Sequence, residues 1–404
     1  MTWSPDRSKI FATAFLRAVG TGMTGVLAGL YLARLGLSAS LAGLVISAGL
    51  GGAALASLLA TTSADRFGRR RFLVAVSLCG AIGCLAMLAA HAWVAILLFA
   101  AFGMLNGMGR DRGAALVIEQ AILPATITDA ERTRTFAWYN VTQDAGHAIG
   151  GLMAASPALA RQAFGWDELS ALRAGLGVAA LLTAAALIFY PRLSAAVEPA
   201  EPRARIAVAP ETRRLLWRIS SLFVLDSLGG GFLTASLISW FFFRRFGVGE
   251  GSLGLLFFAA RILNAVSHLG AAWLAKRIGL VNTMVFTHMP SSLLLVTVAF
   301  APSFPIAAAL FLLREGLVEM DVPTRQSYVM AVVRPEERTL ASGVTHLVRM
   351  AMWAIGPALA GWSMQAFSLG APLGIAATMK IAYDFLLWGA FRHVRPPEER
   401  IAAH

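Results

Sequence analysis

Twelve apolar stretches fill most of this chain, and each is about as long as a lipid bilayer is thick. They run over about 9–33, 41–62, 72–90, 93–123, 133–158 and 169–190, then 216–243, 252–275, 281–301, 304–330, 339–367 and 371–392. A helix needs roughly 20 residues to cross the hydrocarbon core. Only helices and closed barrels satisfy their own backbone there. Charged residues make up 14% of the 404, against about 25% in a soluble domain, so the chain cannot cover a water-facing surface. The pattern predicts an all-α membrane protein with twelve transmembrane helices, short loops and no soluble catalytic domain. Cys79 and Cys84, the two cysteines, share one apolar stretch and read as small packed side chains, not a redox or metal pair.

The charges sort by loop. Alternate loops together with both termini hold 21 of the 34 Lys and Arg residues, including Arg66, Arg69, Arg70 and Arg71. The opposite loops hold five: Arg34, Arg161, Arg173, Arg244 and Arg245. Lys and Arg accumulate on the cytoplasmic side, which predicts a multi-pass inner-membrane protein with both termini cytoplasmic. The net charge of +12 is therefore topology plus contact with membrane lipid headgroups, and no nucleic-acid partner is expected.

The chain also repeats itself. Residues 120–151 align without a gap on 326–357, with nine of 32 positions identical, among them Gln120/Gln326, Glu131/Glu337 and Gly150/Gly356. Asp65-Arg66-Phe67-Gly68 likewise meets Lys276-Arg277-Ile278-Gly279. Both offsets pair a segment with one six spans later, in the same orientation, as in a parallel six-plus-six repeat. The predicted domains are a six-helix bundle over 1–190, a polar, Pro-rich cytoplasmic linker over 191–215, and a second bundle over 216–404. Thr128-Asp129-Ala130-Glu131 and Arg334-Pro335-Glu336-Glu337 read as the starts of spans 5 and 11.

Between spans 2 and 3 stands Ala64-Asp65-Arg66-Phe67-Gly68-Arg69-Arg70-Arg71. This resembles the loop signature of the major facilitator superfamily, Gly-x-x-x-Asp-Arg-x-Gly-Arg-Arg, with Thr61 in place of the first Gly. The resemblance implies two pseudo-symmetric six-helix bundles working by alternating access. It also implies a cytoplasmic gate of Asp65, Arg66, Gly68, Arg69 and Arg70, with Asp65 set against the start of span 11. The second copy, with Ala272 and Lys276, lacks the acidic partner. The Gly-Pro-x-x-Gly-Gly pattern of the superfamily's drug antiporters is incomplete here, since span 5 reads Gly146-His147-Ala148-Ile149-Gly150-Gly151.

Eight basic residues (Arg17, Arg110, Arg112, Arg261, Arg314, Arg325, Arg349, Lys380) and eight acids (Asp111, Glu119, Asp144, Asp226, Glu315, Glu319, Asp321, Asp384) lie within spans. Each costs roughly 2.5–3.5 kcal/mol in hydrocarbon, so they must pair or line a water-filled cavity. Helical spacing couples Lys380 with Asp384, Asp321 with Arg325, and Arg112 with Glu119. In the family that the motif suggests, spans 1, 4, 7 and 10 line the pathway. Arg17, Arg110, Arg112, Asp226 and Arg314 are then substrate-pathway candidates, while Asp111, Asp144, Glu315 and Glu319 are candidates to carry a coupling proton.

No P-loop, nucleophile motif or metal-ligand spacing occurs, so neither enzyme activity, cofactor nor metal is expected. The expectation is a monomeric secondary transporter of a small organic solute, proton-coupled and exporting. The alternatives are a proton-coupled importer of an organic anion, suggested by the buried arginines, and a non-transporting receptor or scramblase on the same fold.

Overall fold

The computed structural model describes residues 4–126, 132–198, 209–322, 324–325, 328, 333 and 337–391. The expected helix starts at 128–131 and 334–336, the body of the linker and the basic C-terminus lie outside these residues. All twelve apolar stretches hold helix, and no strand occurs among the described residues. Spans 1–3 are α1 (Pro5–Arg34), α2 (Ala39–Phe67) and α3 (Arg69–Ala89). Span 4 is split into α4 (Trp93–Phe102) and α5 (Ala114–Ile122). Spans 5 and 6 are α6 (Arg132–Met153) and α8 (Glu168–Ala184), with α7 (Ser156–Phe164) between them and α9 (Ala186–Phe189) after. Span 7 comprises α10 (Pro210–Gly231) and α11 (Ala235–Phe246). Spans 8–12 are α12 (Glu250–Ile278), α13 (Leu280–Phe300), α14 (Phe304–Val318), α15 (Arg338–Ala366) and α16 (Ala371–Phe391).

Leu55, Ile82, Leu181, Trp217, Phe286 and Phe300 each leave more than half of their surface exposed. An apolar exterior of this extent is a liability in water and the natural contact surface for acyl chains.

Two interruptions distinguish the structure from a set of continuous spans. The apolar run of span 4 reads as one helix, yet residues 103–113 leave the helical path. Gly103, Gly107, Gly109 and Gly113 each weaken a helix by about 1 kcal/mol relative to Ala, and Met104 and Gly109 turn through left-handed backbone (φ 53° and 69°). Asn106 ties the break: its amide donates to the Arg110 carbonyl at 2.7 Å, and its oxygen accepts from the Met108 N–H at 3.0 Å. Span 7 breaks at 232–234, where the Thr234 hydroxyl restarts the helix by accepting from the Leu237 N–H.

The described chain forms two compact units. One comprises Met1–Arg203, Thr234–Phe258 and Pro357–Gln365; the other comprises Ala204–Leu233, Ala259–Gly356 and Ala366–His404. Their boundaries fall at the break in span 7, within α12, and at the proline inside α15. In the first unit Ile10, Leu73, Ile118 and Tyr139 belong to one buried apolar cluster. In the second, Phe223, Met284, Tyr383 and Leu387 form another.

The repeat is visible inside each unit. In the first, α1 crosses α6 so closely that a Cβ on Gly22 would lie 3.2 Å from the Gly150 Cα. In the second, a Cβ on Gly231 would lie 2.8 Å from the Gly356 Cα, the repeat partner of Gly150. Small residues permit this approach where lipid provides no hydrophobic drive between helices. The loop after the second span is duplicated too: Gly68 and Gly279 both adopt positive φ (99° and 83°). That backbone costs other residues about 1–3 kcal/mol. Gly68→Ala and Gly279→Ala are each expected to lower the thermal unfolding midpoint in detergent, whereas Gly51→Ala, where a Cβ meets nothing within 4 Å, serves as the unchanged control.

Candidate functional site

In the first unit the ionised side chains close on themselves. Arg17 on α1 reaches both oxygens of Glu119 on α5, at 2.7 and 2.8 Å, and its Nε donates to Asp111 at 2.9 Å. Glu119 is fully buried and accepts further hydrogen bonds from Thr13 (2.7 Å), Tyr139 (2.6 Å) and Tyr190 (2.7 Å). A buried carboxylate needs this many donors to offset its lost hydration. His147 on α6 accepts the Asp111 N–H through Nε2 at 2.8 Å, so its other nitrogen carries the proton of the neutral ring. The break in span 4 thereby places Asp111 against both α1 and α6. Arg112 lies outside the helix, so the helical pairing expected with Glu119 is replaced by Arg17.

The second unit carries a longer network. Asp226 on α10 accepts from Lys380 on α16 at 2.9 Å and from Arg325 at 3.1 Å. Arg325 also reaches Asp321 at 2.7 Å, the helical spacing expected for that pair. Lys380 turns to another helix for its carboxylate, and Asp384 instead holds His288 of α13 at 2.9 Å. Arg325 occupies the repeat position of Glu119, one residue before the Gln120/Gln326 match. The two repeats thus brace their first and fourth spans with an ion pair of opposite polarity: Arg17–Glu119 in one, Asp226–Arg325 in the other.

Of the other candidates, Arg314 pairs with Glu315, whose carboxylate also accepts from Asn264 on α12 at 2.9 Å. Glu319 lies 3.8 Å from His268. Arg110 and Arg112 are half-buried in the span 4 break, and Asp144 is exposed on α6.

At the loop motif, Arg69 pairs with Asp65 at 2.8 Å, while Arg66 is exposed and Arg70 donates to the Leu193 carbonyl at 3.1 Å. Glu198 caps the start of α3, accepting from the Arg69 and Arg70 N–H groups at 2.7 and 3.1 Å, where the helix dipole favours an anion. The start of span 11, which the resemblance sets against Asp65, lies partly outside the described residues. Glu337, directly before α15, also serves another helix. It accepts from the Ala209 N–H at 2.6 Å and the Thr212 hydroxyl at 2.5 Å, capping α10.

The first unit also joins segments of both repeats. Arg161 reaches the buried Glu250 at the start of α12 (2.7 Å), and Glu168 receives Arg34 at 2.6 Å. The Ser236 N–H donates to Gly107 in the span 4 break, and its hydroxyl to the Gly25 carbonyl, each at 3.0 Å. Ser47 of α2 accepts the Ala358 N–H at 2.8 Å, just after Pro357 inside α15.

Sequence reasoning missed Tyr139, Tyr190, His288, Ser236 and Glu250. No spacing rule marks them, and only the structure shows that all five tyrosines of the chain are buried. A family profile described as the Major Facilitator Superfamily matches residues 10–357. An uncharacterized membrane protein of Saccharomyces cerevisiae, YJR124C, is 24% identical over 399 residues, covering 89% of this chain and 88% of its own. Among solved structures, the nucleoside transporter NupG superposes with a TM-score of 0.71 at 15% identity, covering 96% of this chain and all of its own. A D-xylose–proton symporter gives a TM-score of 0.71 at 14% identity, covering 94% and 97%.

Proposed function

This chain belongs to the major facilitator superfamily of membrane transporters, and from that premise we propose a secondary transporter that moves a small, neutral polar solute by alternating access, driven by protons. The six-span halves, 1–190 and 216–404, are the bodies that move, and the membrane is an inner membrane with both termini in the cytoplasm. One observation carries the reading. The 29-residue α2, roughly 43 Å long at 1.5 Å per residue, carries close contacts with the second repeat at one end and leads into the Asp65–Arg71 motif at the other. At the first end Gly43 packs on Pro357 and Gly361, joining the two repeats through small residues. The nearby ionic link of Arg161 and Glu250 can form and break without unfolding either half. Asp65, Arg66, Gly68, Arg69 and Arg70 then serve as the gate of the opposite end.

A neutral solute is favoured because Arg17, Arg314 and Arg325 each already hold a carboxylate. These carboxylates offset part of the buried positive charge that suggested an organic anion.

The test is a thermal-shift panel of uridine, D-xylose and para-aminohippurate on purified protein at pH 6 and pH 8, since a ligand of the folded state stabilises it. The compound that stabilises is then followed in proteoliposomes under an imposed pH gradient, with both vesicle orientations reading direction. Accumulation of a neutral compound supports the proposal. Stabilisation by para-aminohippurate alone overturns the solute class, and binding without accumulation under any gradient favours the receptor or scramblase. Glu250→Gln, which removes a buried charge facing Arg161, is expected to raise labelling of a cysteine placed at Ala39, which is buried against Gly361, several-fold by weakening this end. Unchanged labelling would remove the latch.

A further inference from the structure

We propose that α7 is seated in one lipid leaflet, at the boundary between headgroups and acyl chains, and that this seating sets how firmly Arg161 holds Glu250. The first half of the proposal stands on burial and helix geometry. The second half rests on the latch reading given above.

α7 is too short to cross a bilayer. Its nine residues, Ser156–Phe164, make about 14 Å at 1.5 Å per residue, against about 30 Å of hydrocarbon. It is also separate from span 5, because α6 ends at Met153 and the chain turns at Ala154 and Ala155 before α7 begins. At its far end the left-handed Gly165 (φ 67°) stops the helix, and Asp167 then caps α8 by accepting from the Ser170 N–H at 3.0 Å. α7 therefore sits at the end of the unit where α8 and α12 start.

The two sides of α7 differ. A helix turns by about 100° per residue, so Leu159 and Arg161 point to nearly opposite sides. Toward the other helices, Pro157 packs on Gly175 of α8, where an added Cβ would lie 2.8 Å from the proline ring. Ala158 lies beside Gly251 of α12. Arg161 reaches Glu250 at 2.7 Å and Glu168 at 3.7 Å. α7 thus bridges spans 6 and 8, one from each repeat. Away from those helices, Leu159 is 63% exposed and Ala163, on the same side, is exposed as well. Phe164 and Trp166 follow, 71% and 46% exposed, with ring centroids 5.8 Å apart.

The occupant of that side is lipid. Its apolar surface continues the exposed exterior of the spans, through Leu152 and Met153 at the end of α6. From Ser156 to Trp166 the sole ionisable residue is Arg161, and it turns inward. A Phe–Trp pair beside the end of a span suits the interface, where aromatic rings collect. A short helix with one apolar side lies in that plane with the side immersed.

Seating has a mechanical consequence. Leu159, Phe164 and Trp166 hold α7 at the depth of the boundary, and this fixes the height of Arg161 against Glu250. A leaflet of different thickness moves the boundary relative to spans 6 and 8. The ion pair is strongest where leaflet depth sets Arg161 level with its carboxylate.

The test uses the full chain in phosphatidylcholine nanodiscs, with Cys79 and Cys84 replaced by Ala and one nitroxide attached at Leu159→Cys. Collision rates with oxygen and with a water-soluble nickel chelate give its depth. The references are Leu181→Cys, on the exposed side of α8, and Arg213→Cys, exposed at the polar start of α10. The label at 159 is expected to match that at 181 and to favour oxygen several-fold more than that at 213. A match with 213 overturns the seating. So does spin–spin broadening that disappears on dilution with unlabelled chain, which would give this face to a second copy. Coupling is read as labelling of Ala39→Cys in the same cysteine-free background. Joint exchange of Leu159→Ser, Phe164→Ser and Trp166→Ser, all at exposed positions, is expected to raise it several-fold. Short- and long-chain lipids should give different labelling without these exchanges and equal labelling with them. Should the triple variant not fold, Leu159→Ser alone, with an expected rise of about twofold, decides the coupling. Labelling unmoved by the exchanges but raised by Glu250→Gln overturns the coupling of lipid to latch. Labelling unmoved by Glu250→Gln as well sinks the latch reading itself, while a lipid-exposed label at 159 still upholds the seating.

Discussion

Glu119→Leu is expected to lower stability by about 3–5 kcal/mol, the usual loss when one partner of a buried ion pair is removed. The reason lies in what the carboxylate holds. Arg17 donates to both its oxygens, and Thr13, Tyr139 and Tyr190 donate hydroxyl hydrogens to it. Removing it strands the buried Tyr139 and Tyr190 hydroxyls and takes two bonds from the guanidinium, which keeps Asp111 and the Tyr190 oxygen, while Thr13 turns to the Ile10 carbonyl. Pairing the change with Arg17→Met should recover part of the loss, because well-packed apolar side chains often replace a buried pair at little net cost. The measurement is thermal or denaturant unfolding of both single variants and the double variant in detergent. Additive losses would mean that Arg17 and Glu119 are not energetically coupled, and that the bracing of α1 against α5 is not electrostatic.

Gly29→Val is expected to cut transport about tenfold or more while sparing the fold. A Cβ at this position would overlap the backbone of Ser236, with the carbonyl carbon at 2.8 Å, so α1 could no longer lie against α11. Overpacking of this kind costs about 1–3 kcal/mol, and each 1.4 kcal/mol shifts an equilibrium about tenfold. The variant should populate the state in which this end is open, with transport reduced to about a tenth or less. Gly177→Val, where a Cβ meets nothing within 4 Å, is the control. Normal uptake by Gly29→Val would mean that the contact between these helices is not remade in each cycle.

Much of this was legible in the primary structure, and the reasons are local. A span must be predominantly apolar along its length because it crosses the hydrocarbon layer or packs in an apolar bundle, so all twelve stretches were visible. The repeat was visible wherever close packing or backbone geometry fixes a residue, as at Gly150/Gly356 and Gly68/Gly279. The Asp321–Arg325 pair followed from helical spacing alone. Span 4 misled because its flanks are as apolar as any helix, while the break arises from four glycines and from Asn106 satisfying backbone groups within the loop. Lys380 and Asp384 misled for a related reason. Spacing of four residues makes contact possible, yet each side chain found a partner on another helix that spacing cannot reveal.

Apolar length, loop charge and duplicated glycines, each acting within a few residues of itself, determined by sequence alone that the chain is a twelve-span, twice-repeated membrane protein. The tertiary structure decided which ionised group meets which, because a buried charge is satisfied by whatever the crossing helices bring within about 3 Å. That is how Arg17 came to Glu119, Asp226 to both Lys380 and Arg325, and His288 to stand between Asp384 and Lys380.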